Sequence, residues 1–427
     1  MAEILFPALF ILLALGLPVA FAMAIAVFVA LMLGSSYPNL VVVKEMFAGL
    51  DSFPLLAVPF FILASEIMTG GAVTHAILRL AQSLVGHMRG GLGHANVVSS
   101  AMFAGISGSA LADAAGPGTM MIRMMEKGGY DRAYAGGLTI ASSVVGPIIP
   151  PSITMIIYAM QDQEVSVGSL FMAGVLPGVL ITGFVLLANG YVSRQRNYAS
   201  GSPMPPLAEI ARIALYAVPA LLLILLIVGG IRFGIFTPTE ASVIAVFYAL
   251  AIGMFVYRSL RLRDLPGIVL RAALTSGAVL LILGAARAFA WVLIIEGIPQ
   301  FLAETIIGWD LSPIVFLLAV NLLLIVFGLF MDPLPGVMIL VPILAPISFA
   351  LGIDPNHFAI VVIVNLTLGL TTPPVGSLIF VVSSTVGMKP STLIREMPPF
   401  FLALAVALLL ITFVPSLSTW LPNVSGF

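Results

Sequence analysis

Cysteine is absent from the 427 residues, which excludes disulfides, thiolate metal sites and cysteine nucleophiles. Charge is scarce as well. Only 8% of residues are Asp, Glu, Lys or Arg, against about 25% in soluble domains. The net charge of −1 offers no electrostatic handle for nucleic acid. The first positive charge is Lys44, so residues 1–30 lack the basic start of a cleavable signal peptide. HExxH, Walker A and GxGxxG patterns are missing, which leaves zinc, ATP and dinucleotide chemistry without support. What fills the chain instead is apolar sequence: 61% hydrophobic residues and a mean hydropathy of +1.18. A membrane span needs roughly 20 apolar residues, and such runs follow one another almost end to end. The expected class is an all-α polytopic membrane protein.

The chain repeats itself. "AMAIAVFVAL" (22–31) shares seven of ten residues with "ASVIAVFYAL" (241–250). Further on, Asp131, Gly146 and Pro150-Pro151 meet Asp354, Gly369 and Pro373-Pro374 at a constant offset of 223. A matched Asp, Gly and Pro-Pro in one register is hard to obtain by chance. Two related halves, 1–195 and 196–427, therefore flank the polar linker "SRQRNYASGSPMPP" (193–206).

Each half begins with two spans (4–15 and 17–33; 213–231 and 237–257), then a connecting segment and a third span (53–70; 271–295). A short amphipathic segment follows (72–88; 298–308), then two half-length apolar runs around a polar tip (92–125; 312–351). A span broken by Gly and Pro (133–160; 356–386) and a final span (168–193; 398–420) complete the unit. Proline donates no N–H and clashes with the preceding turn, so these broken spans cannot be continuous helices.

Charge placement orients the halves. Arg194, Arg196, Arg212, Arg258, Arg261, Arg263, Arg271, Lys389 and Arg395 flank spans on what the positive-inside rule makes the cytoplasmic side. Asp162, Glu164, Glu296, Glu304 and Asp310 lie in segments without Lys or Arg, expected outside. Five crossings per half then invert the second half relative to the first. The hairpin at 92–125, with Arg89, Arg123 and Lys127 at its ends, enters from the cytoplasm; that at 312–351, flanked by Asp310 and Asp354, enters from outside. Inverted repeats, paired re-entrant hairpins and broken helices describe a secondary transporter.

The chemistry then belongs at the interruptions. Freed carbonyls there can coordinate a cation, and half-helix N-termini suit carboxylates. The first tip, "GISGSALADAAGPG", holds Ser107, Ser109 and Asp113; the second, "LFMDPLPGV", holds Asp332. An intramembrane carboxylate is a functional candidate by default. Serine hydroxyls with carbonyls suit Na⁺, although Asp113 and Asp332 could each carry a proton instead. The broken spans add Ser142, Ser143, Ser152, Thr154, Asn365, Thr367, Thr371, Thr372 and Ser377 as polar candidates. Arg287, about 16 residues into its span, either pairs with a carboxylate such as Glu66 or receives a substrate carboxylate. Two other classes have weaker support. A channel would need a continuous polar stripe, whereas polar residues cluster at the tips. "GISG" (105–108) resembles the nucleophile motif of an intramembrane serine protease, but no His stands at depth opposite it.

The stretch from "GISGSALADAAGPG" through "GGLTIASSVVGPIIPPSIT", with "GLPVAFAMAIA" before it and "TTPPVG" after it, resembles the large membrane subunit of tripartite ATP-independent periplasmic (TRAP) transporters. That resemblance implies an elevator-type fold in the bacterial inner membrane. It also implies Na⁺-driven import of an organic acid, such as a C4-dicarboxylate or sialic acid. The implied partners are a small four-helix membrane subunit and a periplasmic substrate-binding protein. The family's two Na⁺ sites map onto Ser107, Ser109, Asp113, Gly146 and Pro147, and onto Asp332, Gly336, Thr371 and Thr372. Substrate is expected between the tips, within reach of Ser152, Thr154, Asn365, Asp332 and Arg287.

Overall fold

A computed structural model describes residues 1–34, 37–69, 71–198, 203–308 and 311–426. Asp310, expected ahead of the second hairpin, lies outside them. Among the described residues the regular elements are all helical, and the register of 223 runs through them. The return arm of the first hairpin occupies 110–127 and that of the second Pro333–Ala350. The broken spans begin at Arg132 and Pro355. The matched aspartates are their N-caps: Asp131 Oδ1 accepts from Ala133 N at 2.7 Å, and Asp354 Oδ1 from His357 N at 3.0 Å. Such caps satisfy amide groups that a helix start leaves without partners.

The first broken span comprises Arg132–Ser143 and Ile153–Gln161; the second comprises Pro355–Gly369 and Ser377–Val386. Their leading halves form the centre of the molecule. Every residue from Ala133 to Ser143, and from His357 to Gly369, is buried. The first hairpin (Gly91–Ser107 and 110–127) packs on the first broken span, and the second (Pro313–Gly328 and Pro333–Ala350) on the second.

Glycine permits the closest of these approaches. A Cβ on Gly328 would lie 3.0 Å from Gly369 Cα, and one on Gly369 would collide with Gly328 backbone. The helices therefore cross backbone to backbone, as small residues allow in membrane bundles. Pro333–Ala350 is long and apolar enough to span a bilayer. Its first residues nevertheless adjoin this crossing, at the point where the second broken span stops, so it is the return arm of a hairpin.

Three details refine the expected spans. The connecting segment before 53 is the helix Leu40–Leu50, which meets Phe53–Met68 at 69°. Pro54, in the first turn after the bend, has no N–H with which to continue the preceding helix. The final span, expected over 398–420, bends by 56° between Pro398–Phe413 and Ser416–Ser425, with Pro415 at the corner. The third span of the second half begins at Leu265 rather than 271, with Pro266 in its first turn.

Around the centre stand the outer helices. Ala57–Met68 packs on both Pro238–Ala251 and Leu265–Ile295; Leu207–Arg232 packs on Gly71–Val85. Glu240 closes a capping box with Thr237, accepting from its N–H at 2.8 Å. Outside the spans, hydrogen bonds from the Met1 ammonium and the Ala2 N–H hold the Glu296 carboxyl below its usual range.

Two outcomes follow. Gly369→Ala should destabilise the detergent-solubilised protein by about 1–3 kcal/mol, the usual cost of overpacking. Gly183→Ala, whose Cβ meets nothing within 4 Å, should leave the melting temperature unchanged or slightly raised. Equal melting of both variants would refute the close crossing. For the inversion, Gln163→Cys and Ser391→Cys place single thiols at exposed positions after the two broken spans, in a turn and in the short helix Pro390–Ile394. An impermeant maleimide should label Gln163→Cys in intact cells and Ser391→Cys only after permeabilisation.

Candidate functional site

The first tip turns at Gly108, which has φ +61° and whose Cβ would stand 2.8 Å from Pro151 O. Both the left-handed backbone and the close approach call for glycine. Around the turn, Ser109 N donates to Ser107 Oγ at 3.2 Å, and Ser109 Oγ caps the return arm by accepting from Ala112 N at 3.4 Å. One turn into that arm sits Asp113. It is 2% exposed, and neither carboxylate oxygen makes a hydrogen bond of ordinary geometry, with the Ser107 hydroxyl as its polar neighbour. It faces the break: a Cβ on Gly146 would lie 3.0 Å from Asp113 Oδ2 and 2.8 Å from Ala110 N.

The second tip carries its carboxylate one turn earlier in the common register. Ser109 and Asp332 are 223 apart, and each N-caps a return arm. Asp332 makes no capping bond; its Oδ1 accepts from Ser377 Oγ at 3.0 Å. Ser377 opens the second half of the second broken span. Gly336, the counterpart of Asp113, packs against Leu366, 2.8 Å from a hypothetical Cβ.

Between the tips lies a cavity of about 300 Å³, within the size range of small-molecule sites. Ser107, Ser109, Pro147, Thr154 and Asp332 line it from the hairpin and broken-span side. Ile62, Ser65 and Glu66 of Ala57–Met68, with Thr275, Ala278, Val279 and Ile282 of Leu265–Ile295, line the other. A second cavity of about 370 Å³ shares Asp332 and adds Ser377 and Pro18. The helix starts at Ala110, Ile153 and Pro333 all reach the first cavity. The starts at Ala110 and Ile153 present free N–H groups, and that at Pro333, with a second proline at 335, adds chiefly its partial positive charge; together these favour an anion.

Several sequence candidates serve the breaks themselves. Ser152 Oγ donates to Pro147 O at 2.6 Å and caps Ile153–Gln161, so it closes the interruption and does not line the cavity. Thr371 and Thr372 hydroxyls both donate to Leu368 O, at 2.8 and 3.0 Å. Asn365 lies in a buried helix interface, donating to Asn321 Oδ1 and Val361 O at 2.7 Å each, with its own Oδ1 unpartnered. Arg287 is exposed; its stem lies against Gly49, so it neither reaches the cavity nor pairs with Glu66. Glu66 pairs instead with Arg271, Oε2 to Nε at 3.0 Å.

Sequence reasoning missed the outer wall. Thr275, Ala278, Val279 and Ile282 are spaced by three and four, the signature of one helix face. In a helix that is apolar all round, that face is not distinguished by polarity. Glu66, a lone carboxylate in an apolar run, was the available signal.

Residues 6–417 match the family described as "Tripartite ATP-independent periplasmic transporter, DctM component". The sialic acid TRAP transporter large permease protein SiaM of Vibrio cholerae is 38% identical over 408 residues, covering 96% of this chain and 95% of its own length. The C4-dicarboxylate TRAP transporter large permease protein DctM of Pseudomonas aeruginosa is 40% identical over 382 residues, covering 90% and 89%. Among solved structures, the YdaH transporter of Alcanivorax borkumensis superposes with a TM-score of 0.63 over 89% of this chain and 88% of its own, at 14% identity, a likeness of fold alone. The whole-length family match and the two relatives agree with the helical hairpins and interrupted spans: this multi-pass membrane protein belongs to the TRAP transporter family, as a large permease subunit.

Proposed function

We propose that the chain is the permease of a Na⁺-driven importer of a small organic acid in the bacterial inner membrane. It works with a small membrane subunit and a periplasmic binding protein that delivers the substrate. The observation that carries this reading is Asp113, a buried carboxylate with no cationic partner and only the Ser107 hydroxyl beside it, set against the Gly146 break. A buried ion without a counter-charge costs several kcal/mol, roughly, so the carboxylate calls for a cation or a proton, and the groups around it favour the cation. Serine hydroxyls, backbone carbonyls and a carboxylate suit a hard, monovalent one. Na⁺ bound there would neutralise Asp113 and tie the first tip to the first break.

The second ion site would use Asp332 with backbone of the second break near Thr371 and Thr372. Substrate would occupy the cavity between the tips, its carboxylates facing the helix starts at Ala110, Ile153 and Pro333. The printed names of the two relatives supply the candidates, a C4-dicarboxylate or sialic acid. The hairpins and broken spans would move as one body past the outer wall of Ile62, Ala278, Val279 and Ile282. Those side chains are apolar or small, and no hydrogen bond would hold them in one register. Substrate would thereby reach each side of the membrane in turn.

In proteoliposomes with both partners, uptake should rise steeply with an inward Na⁺ gradient. Asp113→Asn should weaken Na⁺ dependence by at least about 10–100-fold, the cost of losing even a supporting group at a metal site. Uptake in choline equal to that in Na⁺, driven by a pH gradient, would make Asp113 a proton carrier instead. Asp332→Asn should likewise reduce transport while complex assembly with the small subunit survives. Glu164→Gln, exposed on a loop, should change stability by no more than about 0.5 kcal/mol and leave uptake intact.

A further inference from the structure

The cavity between the tips is lined by two carboxylates, Glu66 and Asp332, and by no cationic side chain among the described residues. Helix starts and hydroxyls can hold an organic anion, but a full positive charge lies just outside. Arg271 stands one turn before Thr275 on Leu265–Ile295, along the face that lines the cavity. Its Nε is 3.0 Å from Glu66 Oε2, and Glu66 is in the cavity wall. Only one donor of the guanidinium fork is engaged by Glu66. The Nη1 group turns back toward Gly267, 3.7 Å from where a Cβ there would stand, on the side leading to the expected cytoplasmic end of the helix.

A clamp between the two outer helices is a weak account of this pair. The Arg271 side chain is 59% exposed and that of Glu66 30%, and ion pairs so placed contribute little to stability. The two helices already pack directly on each other. Arginine is, by contrast, well suited to hold a second carboxylate, because its planar fork offers five N–H donors.

We propose that Arg271 is the outer wall's carboxylate receptor on the cytoplasmic side of the cavity, with Glu66 as the resident competitor that prevents it from trapping the anion. This rests on the organic-acid reading of the cavity. The receptor stands on the helices that frame the site, not on the hairpin tips. A substrate carboxylate carried by the tips therefore comes closest to it as the moving body is lowered toward the cytoplasm. It exchanges with Glu66 on the guanidinium and leaves, and Glu66 returns. Charge is conserved through the exchange, since one carboxylate replaces another on the same cation.

The test is transport of radiolabelled succinate and of sialic acid by the complete reconstituted transporter with its partner subunits. It is assayed in both directions, with melting temperature measured alongside. Arg271→Gln should raise the KM for exit from the cytoplasmic side by about 10–100-fold, the range of a lost charge-assisted hydrogen bond, and Arg271→Lys should restore most of it. Glu66→Gln should act with the opposite sign, lowering that KM and slowing turnover, because the anion is no longer displaced. A clamp predicts that both single variants lose activity alike and that the swapped pair, Glu66→Arg with Arg271→Glu, recovers it. Either of those results overturns the proposal. Failure of the unmodified transporter to move either acid would instead refute the organic-acid reading, a result separable from any effect of the variants.

Discussion

No water reaches the hydrocarbon of a bilayer, so every backbone group freed where a helix stops must find a partner in the protein or face a cavity within it. That requirement governs both interruptions. Ser152 donates to the carbonyl of Pro147, and its own oxygen accepts from Met155 N. Thr371 and Thr372 close on Leu368 O, while Leu378 N reaches back to Leu370 O. Several hydroxyls that look like ligands in the sequence thus donate their protons to make the breaks tolerable. What they leave over is informative. Asp113, which no such bond reaches, is where the local structure is incomplete by itself.

The common register shows how one backbone plan yields two different sites. Ser109 and Asp332 occupy the same position at the two tips, and Asp113 and Gly336 the same position one turn later. In the first half a neutral serine caps the arm, and the carboxylate is buried behind it against Gly146. In the second half the carboxylate is the cap residue, faces the cavity and bonds to Ser377. Gly336 meanwhile leaves room for Leu366. A cation held at the first tip would be enclosed; one held at the second would adjoin whatever fills the cavity. Two coupled ions need not be equivalent in such a frame.

Much of this architecture was legible before any coordinates. The Gly–x₃–Pro–Pro spacing located both breaks because proline chemistry is local, acting within one turn of itself. The tips were legible because carboxylates in apolar sequence are expensive and therefore rare. The bends at 51–52 and at Pro415 were harder. A single proline near a span end is compatible with a straight start or a sharp corner, and tertiary packing decides between them. Side-chain direction was harder still. Arg287 lies within the cavity-framing helix, yet it points toward Gly49, whereas Arg271, nearer the end, stands in line with the cavity. Hydropathy carries no phase in a helix whose every face is apolar, so no periodicity separates those two arginines.

With the proposed cation and organic acid at the tips, the electrostatics of the cavity would make ion and substrate depend on one another. The anion-binding features are partial charges at helix starts, while Asp332 and Glu66 bring full negative charge to the wall whenever they are ionised. At an effective dielectric of ~20 and a separation of ~5 Å, each like-charge encounter costs about 3 kcal/mol. Arg271 offsets Glu66, which leaves Asp332 as the repulsive group facing an incoming carboxylate. A cation beside Asp332 removes that repulsion and adds attraction. Substrate bound first would equally raise the affinity of the tip for the cation, because coupling between two sites is reciprocal. On this account the acidic residue in an anion site is the element that makes an empty or half-loaded state unfavourable. The same carboxylate that discourages the lone anion makes the fully loaded state the stable one, and a transporter that moves mainly in that state does not leak its ion gradient.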